Sequence, residues 1–263
     1  MQYPIYQVDA FADAAFSGNP AAVMPLTQWL DDSTLQRIAA ENNLSETAFL
    51  LPRGADFELR WFTPEVEVDL CGHATLASAH ALFEHMDYSA ETVVFHTRSG
   101  PLTVSRADAM LVMDFPAPTL LPLAVDTAIT QALGAVAVDA AIPDSNPSMV
   151  VYAFESQAEV AALTPDFRAL MNSSEHAVIA TAPGDQHDFV SRFFGPQVGI
   201  DEDPVTGSAH CCLTRYWAGR LGKSVFSARQ ISPRGGEVGC ELRGDRVVLK
   251  GRAVTYMTGT VTL

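Results

Sequence analysis

The spacing of hydrophobic and polar positions divides the chain into many short strands and a few helices. Alternating β-branched and aromatic residues predict strands in the first half at residues 5–11, 47–51, 58–62, 92–96, 102–105 and 111–114. A helix is predicted from the capping segment 31–33 to Asn42, because apolar residues recur there at three- and four-residue spacing. The chain therefore mixes strands and helices along its whole length.

A second helix, predicted after Gly72 at residues 74–83, is apolar on nearly every side. A helix of this kind has no face for solvent, so we expect strands to surround it on several sides. In the second half, the same reasoning predicts helices at residues 125–133, 166–171 and 207–221, with Gly222 as the stop of the last one. Strands are predicted there at residues 149–154, 177–181, 188–194, 230–232, 237–242, 246–250 and 254–263.

Four segments of the first half recur in the same order in the second half. Residues 19–23 resemble 146–150, 45–48 resemble 174–177, 60–64 resemble 192–196, and 71–74 resemble 206–209. A repeat of this length indicates a duplicated domain rather than a solenoid. We place the boundary at the prolines of residues 116–118, which predicts domains at residues 1–117 and 118–263.

Composition and charge exclude several classes of function. Hydrophobic residues make up 48% of the 263 positions, and 31 acidic against 16 basic residues give a net charge of -15. This charge repels phosphate backbones and anionic lipids, so neither nucleic acid nor a membrane is expected as a partner. The N-terminal residues lack a basic segment followed by an apolar one, and we therefore expect a cytoplasmic protein.

Cofactor chemistry finds little support in the sequence. The cysteines at positions 71, 211, 212 and 240 have no C-x-x-C spacing, so neither a disulfide framework nor a metal site is expected. Only two lysines are present, and no phosphate-binding glycine loop lies near them, which disfavours pyridoxal phosphate. We expect an activity without metal or cofactor.

Gly72 and Gly207 each open a helix of the repeat. The first N–H groups of a helix lack internal partners and carry positive partial charge, so such ends bind carboxylates. If a pseudo-twofold axis relates the halves, both helix starts can face one cleft and hold one small anionic substrate. The peptide dipoles would then provide the positive field that the side chains of this acidic protein do not.

Three side chains near these helix starts are candidates for proton transfer, and each has a structural alternative. Glu46 precedes an apolar strand, where a charge must be paired, exposed or functional. His73 follows Gly72 and suits acid–base chemistry, although a hydrogen-bonded structural role is also open. Asp203 precedes the second helix, which it can cap or neutralise. Glu175 is interpreted as the counterpart of Glu46.

The remaining candidates are polar residues of the same segments. Cys71 at a helix start can have a lowered pKa, but its repeat partner is Thr206, so a two-cysteine racemase is excluded and a buried structural role is favoured. Ser208 lacks the G-x-S-x-G context of a serine hydrolase and is interpreted as a hydrogen-bond donor to the ligand. Asn19 and Asn146 precede prolines and are read as turn residues. Arg60 and Arg192 are expected to form structural ion pairs.

Six motifs of the chain closely resemble the PhzF family of phenazine-biosynthesis isomerases, within the diaminopimelate-epimerase-like superfamily. The segments that carry the likeness are residues 8–11, 16–23, 43–49, 60–64, 69–75 and 203–209. The resemblance implies an α+β fold of two pseudo-symmetric domains, each a curved, mostly antiparallel sheet wrapped around a central helix. It also implies a homodimer, and cofactor-independent isomerisation in which Glu46 transfers a proton, assisted by His73, Asp203 and Ser208.

The same resemblance places five further residues at substrate-binding positions: Asn19, Cys71, Gly72, Thr206 and Gly207. We therefore predict an isomerase that moves a proton between carbons of a small cyclic or amino-acid-like carboxylate. Two alternatives stay open from the sequence. One is a protein that binds such a carboxylate without turnover, and the other is an epimerase or racemase that depends on Cys71.

Overall fold

A computed structural model describes residues 1–144 and 148–263 of the chain. The described residues form 18 strands and six α-helices. The helices are α1 (Asp32–Asn42), α2 (Gly72–His85), α3 (Thr127–Leu133), α4 (Gln157–Ala162), α5 (Phe167–Ser173) and α6 (Gly207–Leu221). The strands are β1 (Gln2–Ala10), β2 (Asn19–Pro25), β3 (Glu46–Arg53), β4 (Asp56–Phe62), β5 (Glu67–Val68), β6 (Thr92–Thr97), β7 (Gly100–Ala107), β8 (Met110–Pro116), β9 (Leu120–Leu123), β10 (Asp139–Pro143), β11 (Met149–Ala153), β12 (Ala177–Pro183), β13 (Phe189–Gly195), β14 (Ile200–Asp203), β15 (Val225–Gln230), β16 (Gly236–Arg243), β17 (Arg246–Gly251) and β18 (Ala253–Thr262).

These elements form two compact units. The first unit contains Met1–Asp114 and Lys250–Leu263, and the second contains Phe115–Leu249. The predicted boundary at residue 117 lies close to this division, but the prediction placed residues 250–263 in the second domain. That part is corrected because β18 pairs with β1 in an antiparallel ladder, which ties the end of the chain to the first unit.

The two units share one order of strand pairing. In the first unit β2 and β3 are parallel, β3 and β4 antiparallel, and β4 and β6 parallel. In the second unit the same relations hold for β11 with β12, β12 with β13, and β13 with β15. Further pairs within each unit are antiparallel, among them β6 with β7 and β15 with β16. This agreement supports the duplication predicted from the sequence.

Each unit contains a long helix that packs against several of its strands. Ten residues of α2 are buried, and the helix contacts β1, β2, β3, β7 and β18. The small side chains of its Ala-Ser-Ala segment allow this close approach. In the second unit α6 contacts β9, β11 and β16 and has nine buried residues. The expectation of a helix surrounded by sheet is therefore confirmed.

A second apolar layer lies on the sheet of each unit. Leu35, Ile38 and Ala39 of α1 join a core cluster with residues of β1, β2, β3 and β4. In the second unit, α3, α4 and α5 supply the corresponding cluster against β10, β11, β12 and β13. Among the described residues, no helix combines the length and hydropathy that crossing a bilayer requires.

Two local predictions are wrong. Asn19 was interpreted as a turn residue, but it is the first residue of β2 and pairs with Ala10. The turn lies one residue earlier, because Gly18 has a φ of +68° and an added Cβ would collide with the carbonyl oxygen of Ala10. The strand predicted at 230–232 is instead β15, which ends at Gln230. Asn146, the predicted repeat of Asn19, lies outside the described residues.

Candidate active site

Five predicted site residues of the first unit, with Gly72 as the first residue of the helix, meet at the start of α2. The parallel strands β2 and β3 begin at the same edge of the sheet, with Ala21 opposite Glu46, so Asn19 and Glu46 lie at that edge. Cys71 is the N-cap of α2, and His73 is the second residue of the helix. The pairing of two local strands with one helix start thus collects side chains that are far apart in the sequence.

The imidazole of His73 lies at the centre of this cluster. Its Nε2 atom is 3.0 Å from Oε2 of Glu46. Its Nδ1 atom is 3.2 Å from Nδ2 of Asn19 and 3.4 Å from Sγ of Cys71. The ring therefore links a carboxylate on one edge to an amide and a thiol on the other. The prediction that Glu46 and His73 belong to one site fits this geometry.

The cluster is buried, which strengthens the electrostatic coupling within it. Glu46 is 8% exposed, His73 4% and Asn19 0%. Burial by itself lowers the pKa of His73, but its contacts with Cys71 and Glu46 raise it, and the pKa ends well above its usual value. The raised pKa favours the protonated ring, which then forms an ion pair with Glu46.

Cys71 does not behave as an activated thiol. Burial, and then the charge of Glu46, raise its pKa to about 11. The thiol also makes no side-chain cap to the start of α2. The helix start was expected to favour the thiolate, but desolvation outweighs this effect.

The remaining predicted residues meet at the start of α6 in the second unit. Asp203 ends β14 and is buried, Thr206 is the N-cap of the helix, and Gly207 and Ser208 are its first two residues. The hydroxyl of Thr206 donates a hydrogen bond to Oδ2 of Asp203. Asp203 is thus bonded to the N-cap residue and is not itself the N-cap. Ser208 is half-buried beside it.

Gln230 completes this second group and was not identified as a site residue from the sequence. Its Oε1 accepts a hydrogen bond of 2.9 Å from the N–H of Thr206, and its Nε2 donates one of 2.6 Å to the carbonyl of Asp203. Alternate residues of β15 are buried, and Gln230 is the polar member of that buried set. A polar residue at an inward strand position was the signal available in the sequence.

His210 takes no part in nucleophile activation. Its Nδ1 lies 2.8 Å from the carbonyl oxygen of Thr206, so the ring is tied to the first turn of α6. Burial lowers the pKa of His210 to about 4, which keeps the imidazole neutral. This arrangement agrees with the interpretation of Ser208 as a hydrogen-bond donor rather than a hydrolase nucleophile.

The predicted ion pairs of the two repeated arginines are confirmed. Nε of Arg60 donates to Oε1 of Glu67 at 2.7 Å, and Nε of Arg192 donates to Oε1 of Glu202 at the same distance. Both guanidinium groups also donate to the second carboxylate oxygen, so each pair is bidentate. These pairs join β4 to β5 and β13 to β14, immediately before each helix start.

Strand register corrects one predicted correspondence. In the first unit, Thr47 pairs with Phe62, which lies two residues after Arg60. In the second unit, Val178 pairs with Phe194, which lies two residues after Arg192. The residue equivalent to Glu46 is therefore Ala177. Glu175 was interpreted as that counterpart, but it is exposed and lies two positions earlier in the chain. The sequence resemblance matches Glu46 with Glu175, whereas the strand pairing matches Glu46 with Ala177. The two alignments therefore differ by two residues.

Comparisons with known proteins place the chain in a broad family. A family model described as phenazine biosynthesis-like protein matches residues 8–259. Two proteins of Pseudomonas aeruginosa, both named uncharacterized isomerases, are 51% identical over the full length of both chains. The human phenazine biosynthesis-like domain-containing protein is 42% identical, again over all of both chains.

Solved structures agree with this placement. A PhzF-family protein of Enterococcus faecalis superimposes with a TM-score of 0.96 at 45% identity, covering all of both chains. A probable proline racemase of Agrobacterium radiobacter has a TM-score of 0.67 at 13% identity, covering 99% of this chain and 93% of the other. That second likeness concerns the fold alone, which is of the diaminopimelate-epimerase-like type predicted from the sequence.

Proposed function

The chain belongs to the PhzF family of phenazine-biosynthesis-like proteins, and from that premise we propose that it is an isomerase that uses no cofactor. The substrate is a small metabolite with a carboxylate, either cyclic or amino-acid-like. The reaction moves one proton between two carbons of that molecule. The isomerase names of the relatives in Pseudomonas aeruginosa support the reaction class.

The buried contact between Glu46 and His73 is the observation that carries the proposal. A carboxylate held 3.0 Å from an imidazole whose pKa is raised is fixed in orientation. Such a carboxylate can act as a general base towards a C–H bond placed beside it. His73 then has the role of positioning Glu46 as well as polarising the ligand.

The proposed proton transfer balances without any other reactant. Glu46 takes a proton from one carbon, and the electron pair of that C–H bond enters the conjugated system of the substrate. The same carboxyl group then returns the proton to a second carbon, where a new C–H bond forms. Glu46 ends the cycle as the carboxylate with which it began.

The helix starts supply the positive field that an anionic substrate needs. The backbone N–H groups at Gly72 and Gly207 open helices of 14 and 15 residues. These are long enough to carry a substantial dipole, and their first amides suit a carboxylate. We assign Asp203 and Ser208 to hydrogen bonding with the substrate, and Thr206 and Gln230 to holding Asp203 in place.

The epimerase alternative based on Cys71 receives no support from the site. An attacking or proton-abstracting cysteine must reach the thiolate form, and the pKa of about 11 disfavours it. Thr206 stands at the equivalent position of the second unit, so no second thiol is available there. The alternative of a binding protein without turnover makes a different prediction about the substrate protons.

Incubation of candidate carboxylates in deuterium oxide, followed by NMR, separates the isomerase from the binding protein. An isomerase that exchanges its carried proton with solvent introduces deuterium at carbon, whereas a binding protein does not. Glu46→Gln should still bind the ligand in the same NMR assay but fail to introduce deuterium. Deuterium incorporation that survives this substitution unchanged would contradict the role of Glu46.

A further inference from the structure

The cluster at the start of α2 contains the three kinds of side chain that bind zinc in proteins. Glu46 offers a carboxylate, Cys71 a thiol and His73 an imidazole, and one ligand atom from each lies within 4.8 Å of the other two. All three side chains are buried. The sequence spacing predicted no metal site, because Glu46 comes from β3 and is brought to the other two only by the fold.

The existing contact between Glu46 and His73 is close to the ligand spacing of a tetrahedral zinc site. Zinc bonds of about 2.0–2.1 Å to nitrogen and about 2.3 Å to sulfur place neighbouring ligand atoms about 3.3–3.6 Å apart. Glu46 Oε2 lies 3.0 Å from His73 Nε2, whereas Cys71 Sγ lies 3.4 Å from the other ring nitrogen, Nδ1. The first pair needs to open by only a few tenths of an ångström to admit an ion.

Two buried polar atoms of the cluster point to an additional ligand. Within the described part of the chain, neither Glu46 Oε2 nor His73 Nε2 has a hydrogen bond, although the two atoms lie in ion-pair contact. Buried polar atoms are nearly always hydrogen-bonded or bound to an ion or water. A metal ion between these two atoms would satisfy both of them.

We propose that this cluster binds one Zn²⁺ ion through Glu46 Oε2, His73 Nε2 and Cys71 Sγ, leaving a fourth position open. The thiol, which now faces Nδ1, turns towards the ion. Binding displaces the proton of the imidazolium on Nε2 and the proton of the thiol, and both pass to solvent. Nδ1 keeps its proton, and the amide of Asn19, whose Nδ2 now faces this atom, turns over so that its oxygen accepts the proton.

Zinc bound in this way would act as an inhibitor of the proposed isomerase. It would occupy the carboxylate oxygen and the ring nitrogen that the proton transfer requires. The ion is therefore a regulatory or adventitious ligand of the catalytic group, and not a participant in the reaction. This consequence rests on the proposed function, but the binding of zinc itself does not.

Titration of the substrate-free protein with Co²⁺ tests the site directly. Cobalt is a spectroscopic substitute for zinc, and a thiolate ligand produces a charge-transfer band in the near ultraviolet. We expect the band to saturate at one Co²⁺ per chain and to disappear when one equivalent of Zn²⁺ is added. Absence of the band in the wild-type protein would overturn the proposal.

Variants then assign the ligands. Substitution of groups that only surround a metal ligand alters metal affinity by about 10–100-fold. Loss of the ligand itself in Cys71→Ala should therefore weaken Zn²⁺ binding by more than about 100-fold and remove the cobalt band. Glu46→Gln should weaken binding but retain the band, since the thiolate remains. Cys212→Ala is the matched control, because Cys212 is equally buried and belongs to the second unit.

The outcomes distinguish this proposal from the proposed function. A Cys71→Ala protein that binds Zn²⁺ as tightly as the wild type, or keeps the cobalt band, contradicts the metal site whatever the enzyme does. Circular dichroism of each variant separates loss of a ligand from loss of folding. Failure of the deuterium experiment with normal cobalt titration would overturn the isomerase and leave the metal site standing.

Discussion

The two units have the same order of strand pairing but place the buried carboxylates near their long-helix starts at different positions. In the first unit the carboxylate is Glu46, at the beginning of β3, and the position equivalent to Asp203 is Val68. In the second unit the carboxylate is Asp203, at the end of β14, and the position equivalent to Glu46 is Ala177. Register supports both equivalences, since Trp61 pairs with Val68 and Phe193 pairs with Asp203.

The difference extends to the groups that surround each carboxylate. Glu46 faces the imidazole of His73, whereas the equivalent position in the second unit is Ser208. Asp203 accepts the hydroxyl of Thr206, whereas the equivalent position in the first unit is Cys71. The duplicated backbone has therefore kept the helix starts and the arginine pairs while the two sites acquired different chemistry.

Ala177→Glu tests whether Glu46 needs its particular surroundings, and it should have the largest effect on stability. It places a carboxylate at the equivalent buried position of the second unit, where Ser208 stands in place of His73. The uncompensated charge should lower the free energy of unfolding by about 3 kcal/mol. Urea denaturation followed by circular dichroism measures this change.

A second substitution sharpens the same test. Adding Ser208→His to Ala177→Glu rebuilds the pair of the first unit and should recover about 1 kcal/mol or more. Glu175→Ala, at an exposed position of the same segment, is the control and should change stability by less than about 0.5 kcal/mol. If Ala177→Glu is no more destabilising than this control, the equivalence with Glu46 is incorrect.

Gln230→Met tests the support of Asp203 and should have the next largest effect. The substitution preserves side-chain length but removes the acceptor for the Thr206 N–H and the donor to the Asp203 carbonyl. We expect a loss of about 1–3 kcal/mol in the free energy of unfolding. Thr97, in β6, stands at the equivalent position of the first unit. Thr97→Val should cost less, because the hydroxyl of Thr97 bonds only within its own turn, donating to the carbonyl of Gly100 and accepting from the N–H of Ser99. Equal losses in the two variants would refute a special role for Gln230.

The ion pair in the first unit should also make stability depend on pH. The folded-state pKa of His73 is raised above its unfolded value near 6.5, so the contribution of His73 to stability is complete below about pH 6.5. This contribution is lost as the pH rises through the folded-state pKa. The urea midpoint of the wild type relative to His73→Asn should therefore decline above pH 6.5. A difference that grows with pH would mean that the His73 pKa is lowered instead.

Cys71 should show the smallest effect, because its thiol is buried and protonated. With a pKa of about 11 and 6% exposure, it should react with iodoacetamide at pH 7 far more slowly than a free thiol in the same solution. Mass spectrometry of peptides containing Cys71 measures the rate. Rapid alkylation would restore the thiol-dependent alternative.

The sequence was informative wherever structure depends on local pattern or on a repeated motif. The apolar content of residues 74–83 predicted the surrounded helix α2, and the capping segment before Leu35 predicted α1. Arg60 and Arg192 were predicted as ion-pair residues because each lies within a strand. The motifs around Glu46, His73 and Asp203 also indicated the family and the fold correctly.

Features that depend on strand register or on distant pairing were not accessible. The pairing of β18 with β1 joins opposite ends of the chain, and no local signal marks it. The offset between Glu175 and Ala177 appears only when the partner strand is known, since a two-residue shift preserves the pattern of inward positions. The 3.0 Å contact of Glu46 with His73 joins residues of different elements. The homodimer and the cytoplasmic location stay predictions.

The most direct test of whether Glu46 carries the proton is the rate at which deuterium enters the substrate. This rate is compared between Glu46→Gln and Glu175→Gln. Removal of a general acid–base group costs about 10²–10⁴-fold in rate. We predict a loss of this size for Glu46→Gln and an unchanged rate for Glu175→Gln, whose side chain is exposed. Equal rates in the two variants would contradict the assignment of Glu46.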